Sequence, residues 1–494
     1  MSRKHMRTFL AILMSAVIAA GCASPAPAAS SGGSDTAAAA GQDAEADGGN
    51  ESSSNSNDEA EESSGSNNDA AEESSGGTED DAQESSGEPD AAEQAGAAES
   101  SAAAEKTVLA QSPTPYEKYG RLQICHIPAD NTAGYTAALC DESGNPVQLV
   151  GMSTYGLQVP HGSWLLNDAA MDAVAADFQC DVLRLCMYIT NTGYAVQPGP
   201  CLERVEQGIE YATERGMYVI VDWHILNPGD PNAPDYLEAG VNEPMYEELR
   251  QAHPDYNGPQ LFFAYLSEKY GSYGNVLFET ANEPNGIADS ESGAAEAWSR
   301  VLKPYHQSLV DVIREHDSDE YPNIVICGTD SWSQYVDSPA DDPVTDPASP
   351  ETAQIMYALH FYAGSHDTEP SADGTYYLGN RIDRALDHGL GVFVTEWGTT
   401  ENTGDGAVNY ENSDRWLDFL ADRGISWCNW SLGTISEGSA AIYFHADKEP
   451  VDTDRDGIPD FNAPNKDGYS VEATGTQLTE SGTYIREKIR AAHE

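Results

Sequence analysis

The sequence predicts an α/β fold, a single (β/α)8 (TIM) barrel, on three observations. Eight short apolar runs follow one another between Val147 and Leu432. Amphipathic segments with helical spacing alternate with them. The alternation extends over about 280 residues, close to the ~250 typical of such a barrel. A doubly wound open sheet is the competing arrangement, but no Gly-rich phosphate loop follows the first run.

In order, the runs are VQLVGMST, DVLRLCM, YVIVDWH, NVLFETANEP, NIVICGT, QIMYALHFY, GVFVTEWG and ISWCNWSL. They are almost continuously apolar, as parallel strands buried on both faces must be. The spacing predicts helices in CLERVEQGIEYATERG, AEAWSRVLKPYHQSLVDVIREHD and NYENSDRWLDFLADRG. The first and last of these end in Gly216 and Gly424, a helix stop signal. SGTYIREKIRAAHE closes the chain as a further helix. Ahead of the barrel, Cys125 and Cys140 flank a segment that reads as a hairpin and are candidates for a disulfide. The stretch from Ala233 to Gln260 is long for a connection and is expected to lengthen or partly close a cleft.

The N-terminal part has a different character. Arg3, Lys4 and Arg7 precede FLAILMSAVIAA, an apolar stretch of about a dozen residues, short of the roughly 20 that span a bilayer. Gly21-Cys22 follows and resembles the lipobox of bacterial lipoproteins, which implies acylation of Cys22. Residues 1–22 are therefore expected to be a signal peptide, with a lipid anchor holding the protein to the outer face of a bacterial cell membrane. Residues 23–107 are Ser, Gly, Ala, Asn, Asp and Glu with almost no apolar side chains. Such a segment cannot bury enough surface to offset its ordering entropy and should be a disordered, self-repelling spacer. Residues 108–494 form the catalytic domain of this reading.

The formal net charge is −58, and much of the acidic excess lies beyond the spacer. That excludes nucleic acid and anionic lipid as partners, since both need a basic surface, whereas a neutral polysaccharide is indifferent to it. With Cys22 assigned to the lipid, the eight cysteines leave an odd number, and no pair has zinc-type spacing. Cys186, Cys327 and Cys428 lie inside apolar runs and read as small buried residues. A monomer is expected.

Two glutamates carry the chemistry. Glu283 and Glu396 each sit at the end of an apolar run. Paired carboxylates delivered by separate strand ends into one cleft can cleave a glycosidic bond, one as proton donor and the other as nucleophile. Asn242-Glu243-Pro244 repeats the tripeptide of Asn282-Glu283-Pro284 without a preceding apolar run, so Glu243 is read as a loop residue with no catalytic role. In a barrel the site gathers at the C-terminal strand ends. There the sequence places Arg184, His224, Asn282, Glu283, His360, Tyr362, Glu396 and Trp430.

At these residues the chain resembles glycoside hydrolase family 5, in its bacterial endoglucanase (cellulase) branch. The likeness runs from GNPVQLVGMSTYGLQ through DWHILNPGDPN, ETANEPNG, LHFYAG and VTEWGTT to SGTYIREKIR, nearly the whole of 108–494. It implies Glu283 as acid/base and Glu396 as nucleophile, with Arg184 and Tyr362 keeping Glu396 charged and oriented. It implies that Asn282 holds the sugar 2-hydroxyl and that His224 and His360 line the cleaved sugar's subsite. Trp430 is then a platform for a sugar face, and Trp332 belongs to the leaving-group side. The activity implied is a retaining endo-β-1,4-glucanase acting on β-glucan, with no cofactor needed for catalysis. Tyr155 stands where the family usually has His, Val159-Pro160-His161 where an aromatic is common, and Gly433-Thr434-Ile435 where Ser-Asp-Lys is common, although Glu437 is kept. These departures leave room for a mannanase, xylanase or mixed-linkage glucanase, or for a noncatalytic surface glycan-binding protein. A metal-dependent barrel hydrolase would need converging His and Asp ligands. Separately, Asp452, Asp454, Asp456 and Asp460 around Gly457 have the spacing of a calcium loop, with Ala463 where a bidentate Glu is expected. Calcium there would be a structural clamp.

Overall fold

The computed structural model describes residues 108–190, 192–317, 322–369, 377–442 and 478–494. The expected lipidation at Cys22, the spacer 23–107 and the calcium-type loop at Asp452, Asp454, Asp456 and Asp460 lie outside the described residues. A hairpin leads, with β1 (Gln123–Pro128) antiparallel to β2 (Tyr135–Cys140). Eight parallel strands follow: β3 (Val150–Thr154), β4 (Val182–Tyr188), β5 (Tyr218–His224), β6 (Val276–Glu279), β7 (Val325–Cys327), β8 (Ile355–Tyr362), β9 (Val392–Gly398) and β10 (Trp427–Leu432). They close in sequence order, with β10 pairing back onto β3. All eight apolar runs therefore become barrel strands.

Each strand is apolar on both sides because each side meets a different core. Leu183, Leu185, Val219, Val221, Val392 and Val394 join the outer core beneath the helices. Val182, Ile220, Leu277, Ile326, Met356 and Phe393 join a separate core with Leu122, Ile124 and Leu139 of the hairpin region. The hairpin therefore plugs the N-terminal end of the barrel. Its backbone is tied in as well, since Ile124 N donates to Gln354 Oε1 at 2.7 Å and Tyr218 Oη to the Gly120 carbonyl at 2.5 Å. Cys125 and Cys140 are free thiols, as are the other described cysteines, and burial pushes the Cys140 thiol up to about 12.

The helices stop where glycine permits. Pro198–Glu214 runs into Gly216 at φ +65°, and Tyr410–Asp422 into Gly424 at φ +62°. The helix expected before β7 forms as one continuous run, Ala294–Ala297 and Lys303–His316 joined by a wider helical turn over Trp298–Leu302. Pro304 explains it: without an N–H it cannot close the regular bond to the preceding turn, and the wider turn absorbs the loss. The 233–260 segment departs from expectation. It folds into the turns Pro234–Leu237, Pro244–Tyr246 and Glu247–Ala252. Its Tyr236, Tyr246 and Leu249 are buried in the outer core, which holds the segment on the barrel flank, and none of it lines the cleft. Glu243 lies in this segment, its carbonyl accepting from Arg250.

Candidate active site

Arg184 organises the C-terminal end of the barrel. Its side chain is wholly buried in the interior, on β4. Nε donates to Glu279 Oε2 at 2.7 Å, and Nη2 donates to Glu279 Oε1 at 3.2 Å and Asn282 Oδ1 at 2.6 Å. Nη2 also lies 3.0 Å from Asp222 Oδ2, while Nη1 donates to Glu396 Oε2 at 3.2 Å and Ser153 Oγ at 3.1 Å. A buried guanidinium is tolerable only when its donors are paired, and here carboxylates from three other strands pair them. Burial would raise Glu279, but Arg184 and His360 hold its carboxyl down at about 2. Burial raises Asp222 well above the carboxylate range; Arg184 opposes this, and the neighbouring Glu279 and Glu396 reinforce it.

Glu396 is 4% exposed and takes a second bond from Tyr362, whose hydroxyl donates to Oε1 at 2.9 Å. Both side chains expected to orient Glu396 therefore touch it. A break in β-sheet register makes this possible. Ala358 pairs with Phe393, but His360 pairs with Glu396, so β9 carries one extra residue at that point. Thr395 and Glu396, though consecutive, both reach interior partners: Thr395 Oγ1 donates to Glu279 Oε1 at 2.8 Å and Glu396 accepts from Arg184.

Glu283 faces His360, whose Nδ1 lies 2.9 Å from Oε1. Because the Thr395 hydroxyl is spent on Glu279, it accepts from His360 Nε2 at 2.9 Å, which fixes that ring nitrogen as a donor and leaves Nδ1 to share a proton with Glu283. Burial alone would lower His360, but Glu396, Glu279 and Glu283 together raise it to about 9. His224 goes the other way: burial and Arg184 push it down to about 3, so it is neutral. Its Nδ1–H donates to Asp222 Oδ2 at 2.6 Å, and its Nε2 faces Asn282 Nδ2 at 3.2 Å. Asn282 is thus held on both arms. A carboxylate oxygen of Glu283, one of Glu396 and a nitrogen of His360 all lie within 4.8 Å of one another. Such a cluster could accept a metal, but its histidine is already engaged by a carboxylate on one side and a hydroxyl on the other.

The cleft above these groups holds about 480 Å³ and is lined by His224, Asn282, Glu283, His360, Tyr362, Glu396, Trp430, Glu437 and Trp332 among others. One wall is aromatic: the His224 ring stacks on Tyr188 at 4.0 Å and lies parallel to Trp430 at 5.8 Å. Trp430 Nε1 donates to Glu437 Oε2 at 3.4 Å, and burial raises the Glu437 carboxyl. Tyr155 packs edge-on against Trp430 at 5.7 Å, supporting that wall from outside the lining. On the opposite rim Trp332 is 47% exposed. Ser331, Trp332 and Ser333 have φ of 60°, 56° and 55°, a left-handed turn that costs each non-glycine residue on the order of 1–2 kcal/mol. The turn is latched to the segment that carries Glu283, with Trp332 N donating to the Pro284 carbonyl at 3.0 Å and Ser333 Oγ to the Asn282 carbonyl at 2.7 Å. Strain spent on displaying a large aromatic to solvent points to a ligand platform.

Sequence reasoning missed Asp222, Glu279, Thr395, Tyr188 and the 402–404 turn that edges the cleft. For two of them a signal existed. Asp222 and Glu279 are ionisable residues inside apolar runs, and a charge buried in a strand needs a partner.

The comparisons agree with this geometry. A family model described as Cellulase (glycosyl hydrolase family 5) matches residues 140–436. Cellulase CelDZ1 of Thermoanaerobacterium sp. is 36% identical over 374 residues, which is 75% of this chain and 82% of that protein. Endoglucanase E-5 of Thermobifida fusca is 35% identical over 76% of this chain; the chain spans 65% of that relative's length, and 57% of Endoglucanase A of Evansella cellulosilytica. Among solved structures, a thermostable, halotolerant GH5 cellulase from an Icelandic hot spring isolate superposes with a TM-score of 0.59 at 35% identity, covering 76% of this chain and 96% of that one. The catalytic domain of Thermobifida fusca endoglucanase Cel5A, a protein also solved with cellotetraose, gives 0.54 at 33% identity over 76% of this chain and 99% of that one.

Proposed function

The chain belongs to glycosyl hydrolase family 5, and from that premise we propose that it is a retaining endo-β-1,4-glucanase. The observation that carries the reading is the approach of one Glu283 oxygen and one Glu396 oxygen to within 4.8 Å. Retaining glycosidases place their carboxyls about 5–5.5 Å apart, whereas inverting ones leave about 6.5–9.5 Å for an intervening water. Glu396, held by Arg184 and Tyr362, attacks the anomeric carbon as the glycosidic C–O bond breaks. Glu283 passes its proton to the departing sugar oxygen. Glu283 then takes a proton from water, whose oxygen displaces Glu396 from the anomeric carbon and leaves the sugar with its original configuration. Trp332 and Trp430 flank this centre and suit the apolar faces of a glucan chain.

Release of reducing ends from β-glucans, mannan and xylan tests the proposal, with Glu396→Gln as control. Activity is expected on β-1,4-glucan and should fall by on the order of 10⁴-fold or more in the variant. Equal rates in both proteins would remove Glu396 as nucleophile, and activity confined to mannan or xylan would reassign the substrate to the wall that Tyr155 remodels. We further propose that acylated Cys22 tethers the enzyme to the outer membrane face, with 23–107 as spacer. Cys22→Ala should release it into the medium, and unchanged membrane retention would contradict the anchor.

A further inference from the structure

The flank of the barrel carries a second group of ligand-type side chains that hydrolysis does not use. His253 ends the turn Glu247–Ala252 as its capping residue, and Glu315 and His316 are the last two residues of the helix Lys303–His316. One donor atom from each lies within 4.8 Å of the other two. The arrangement is held from behind. The Tyr256 hydroxyl donates to Glu315 Oε2 at 3.0 Å, and the Tyr256 ring stacks on His253 at 4.4 Å. Glu315 Oε1 is left facing His253 Nε2 at 4.0 Å. The two imidazoles meet edge-on, with centroids 5.6 Å apart.

One atom in this group is anomalous. His316 Nε2 is buried and has no hydrogen-bond partner. A buried polar atom without a partner is a cost that native structures avoid, and the ring that carries this one sits beside a second imidazole and a carboxylate. The helix end adds to it, because the C-terminal carbonyls present partial negative charge that favours a cation.

We propose that His253, Glu315 and His316 form a zinc-type site, two imidazole nitrogens and one carboxylate oxygen with water completing a tetrahedron. Ligands at about 2.0–2.1 Å from zinc stand about 3.4 Å apart, so the donors must close by about an ångström. Glu315 is 54% exposed and has room to swing, while His253, at 24%, leaves the ion a way in. The donor set selects zinc, nickel or copper over calcium and magnesium, which prefer all-oxygen shells. The ion would be structural. It would clip the flank segment 233–260, which connects β5 to β6, to the helix Lys303–His316 of the next barrel unit, between β6 and β7.

The full chain, stripped with chelator and titrated with Zn²⁺ alone, tests the proposal by calorimetry and by melting temperature. Wild type is expected to show one site whose occupancy raises the melting temperature. His316→Ala and His253→Ala should each weaken that site by at least about tenfold and abolish the zinc-dependent rise. Binding at the catalytic cluster is separated by repeating the titration in Glu396→Gln, which should retain the flank site. His316→Gln replaces His316→Ala if the latter fails to fold. Co²⁺ should give a visible ligand-field band in wild type that both histidine variants lose. Undiminished zinc affinity and an unchanged melting shift in the His253 and His316 variants would overturn the assignment.

Discussion

The two ends of the barrel are built from the same strands and do opposite things with them. Near the N-terminal end the interior positions are Val182, Ile220, Leu277 and Met356, closed off by Ile124 and Leu139 of the hairpin. Two residues further along the same strands, the interior positions are Arg184, Asp222, Glu279 and the neighbouring Ala358, then His360. The first end is an apolar plug that needs only volume. The second is a charged layer in which nearly every atom has an assigned partner, and it holds the cleft residues in place from below. Stability and chemistry are thus separated along the strand axis, by about one residue pair.

The separation can be broken first at the charged layer. Glu279→Gln takes away the carboxylate that pairs Arg184 Nε and receives Thr395. Loss of one partner of a buried ion pair typically costs about 3–5 kcal/mol, and here it also frees Arg184 and His360 to shift. Denaturant unfolding and kinetics should therefore fall together. A variant that lost stability alone would detach the layer from catalysis. At the plug, Leu139→Ala, 3% exposed, should cost about 2–5 kcal/mol while leaving kcat/KM within error. A large loss of activity there would show that the two ends are coupled.

The pH dependence sharpens the contrast. His360 titrates at about 9 in the folded protein against an ordinary 6.5, so the folded state holds more protons between those values. Its contribution is fully present below pH 6.5 and is lost as pH rises through about 9. Urea midpoints should drop over that window in wild type and drop less in His360→Gln; equal slopes would mean that His360 does not hold the charge. The smallest effect is expected at the rim. Trp332→Gly removes a left-handed penalty of roughly 1 kcal/mol together with the platform, so stability should hold or rise while KM for long substrates increases. Unchanged KM would demote Trp332 to a bystander.

The legibility of this molecule follows the same division. Apolar runs announce parallel strands because both faces must be dry, and all eight were placed. The site was largely legible too: Glu283, Glu396, His224, Asn282, His360, Tyr362 and Trp430, together with Arg184 inside its run, converge on one site. The carboxylates that pair Arg184 from the neighbouring strands were not. Glu279 and Asp222 look like interruptions of apolar strands until Arg184 is seen between them, and Thr395 points inward only because the register slips beside it. The 233–260 segment misled for a related reason: its length suggested a cleft wall, but buried Tyr236, Tyr246 and Leu249 anchor it to the flank.

The central claim is that Glu396 is the nucleophile of a double displacement with Glu283 as its acid/base. Incubation with a 2-deoxy-2-fluoro-β-cellobioside carrying an activated leaving group, followed by digestion and mass spectrometry, tests it most directly. The account predicts a covalent fluorocellobiosyl adduct on the peptide containing Glu396. An adduct on another residue, or an active enzyme that forms none and releases product of inverted configuration, would contradict it.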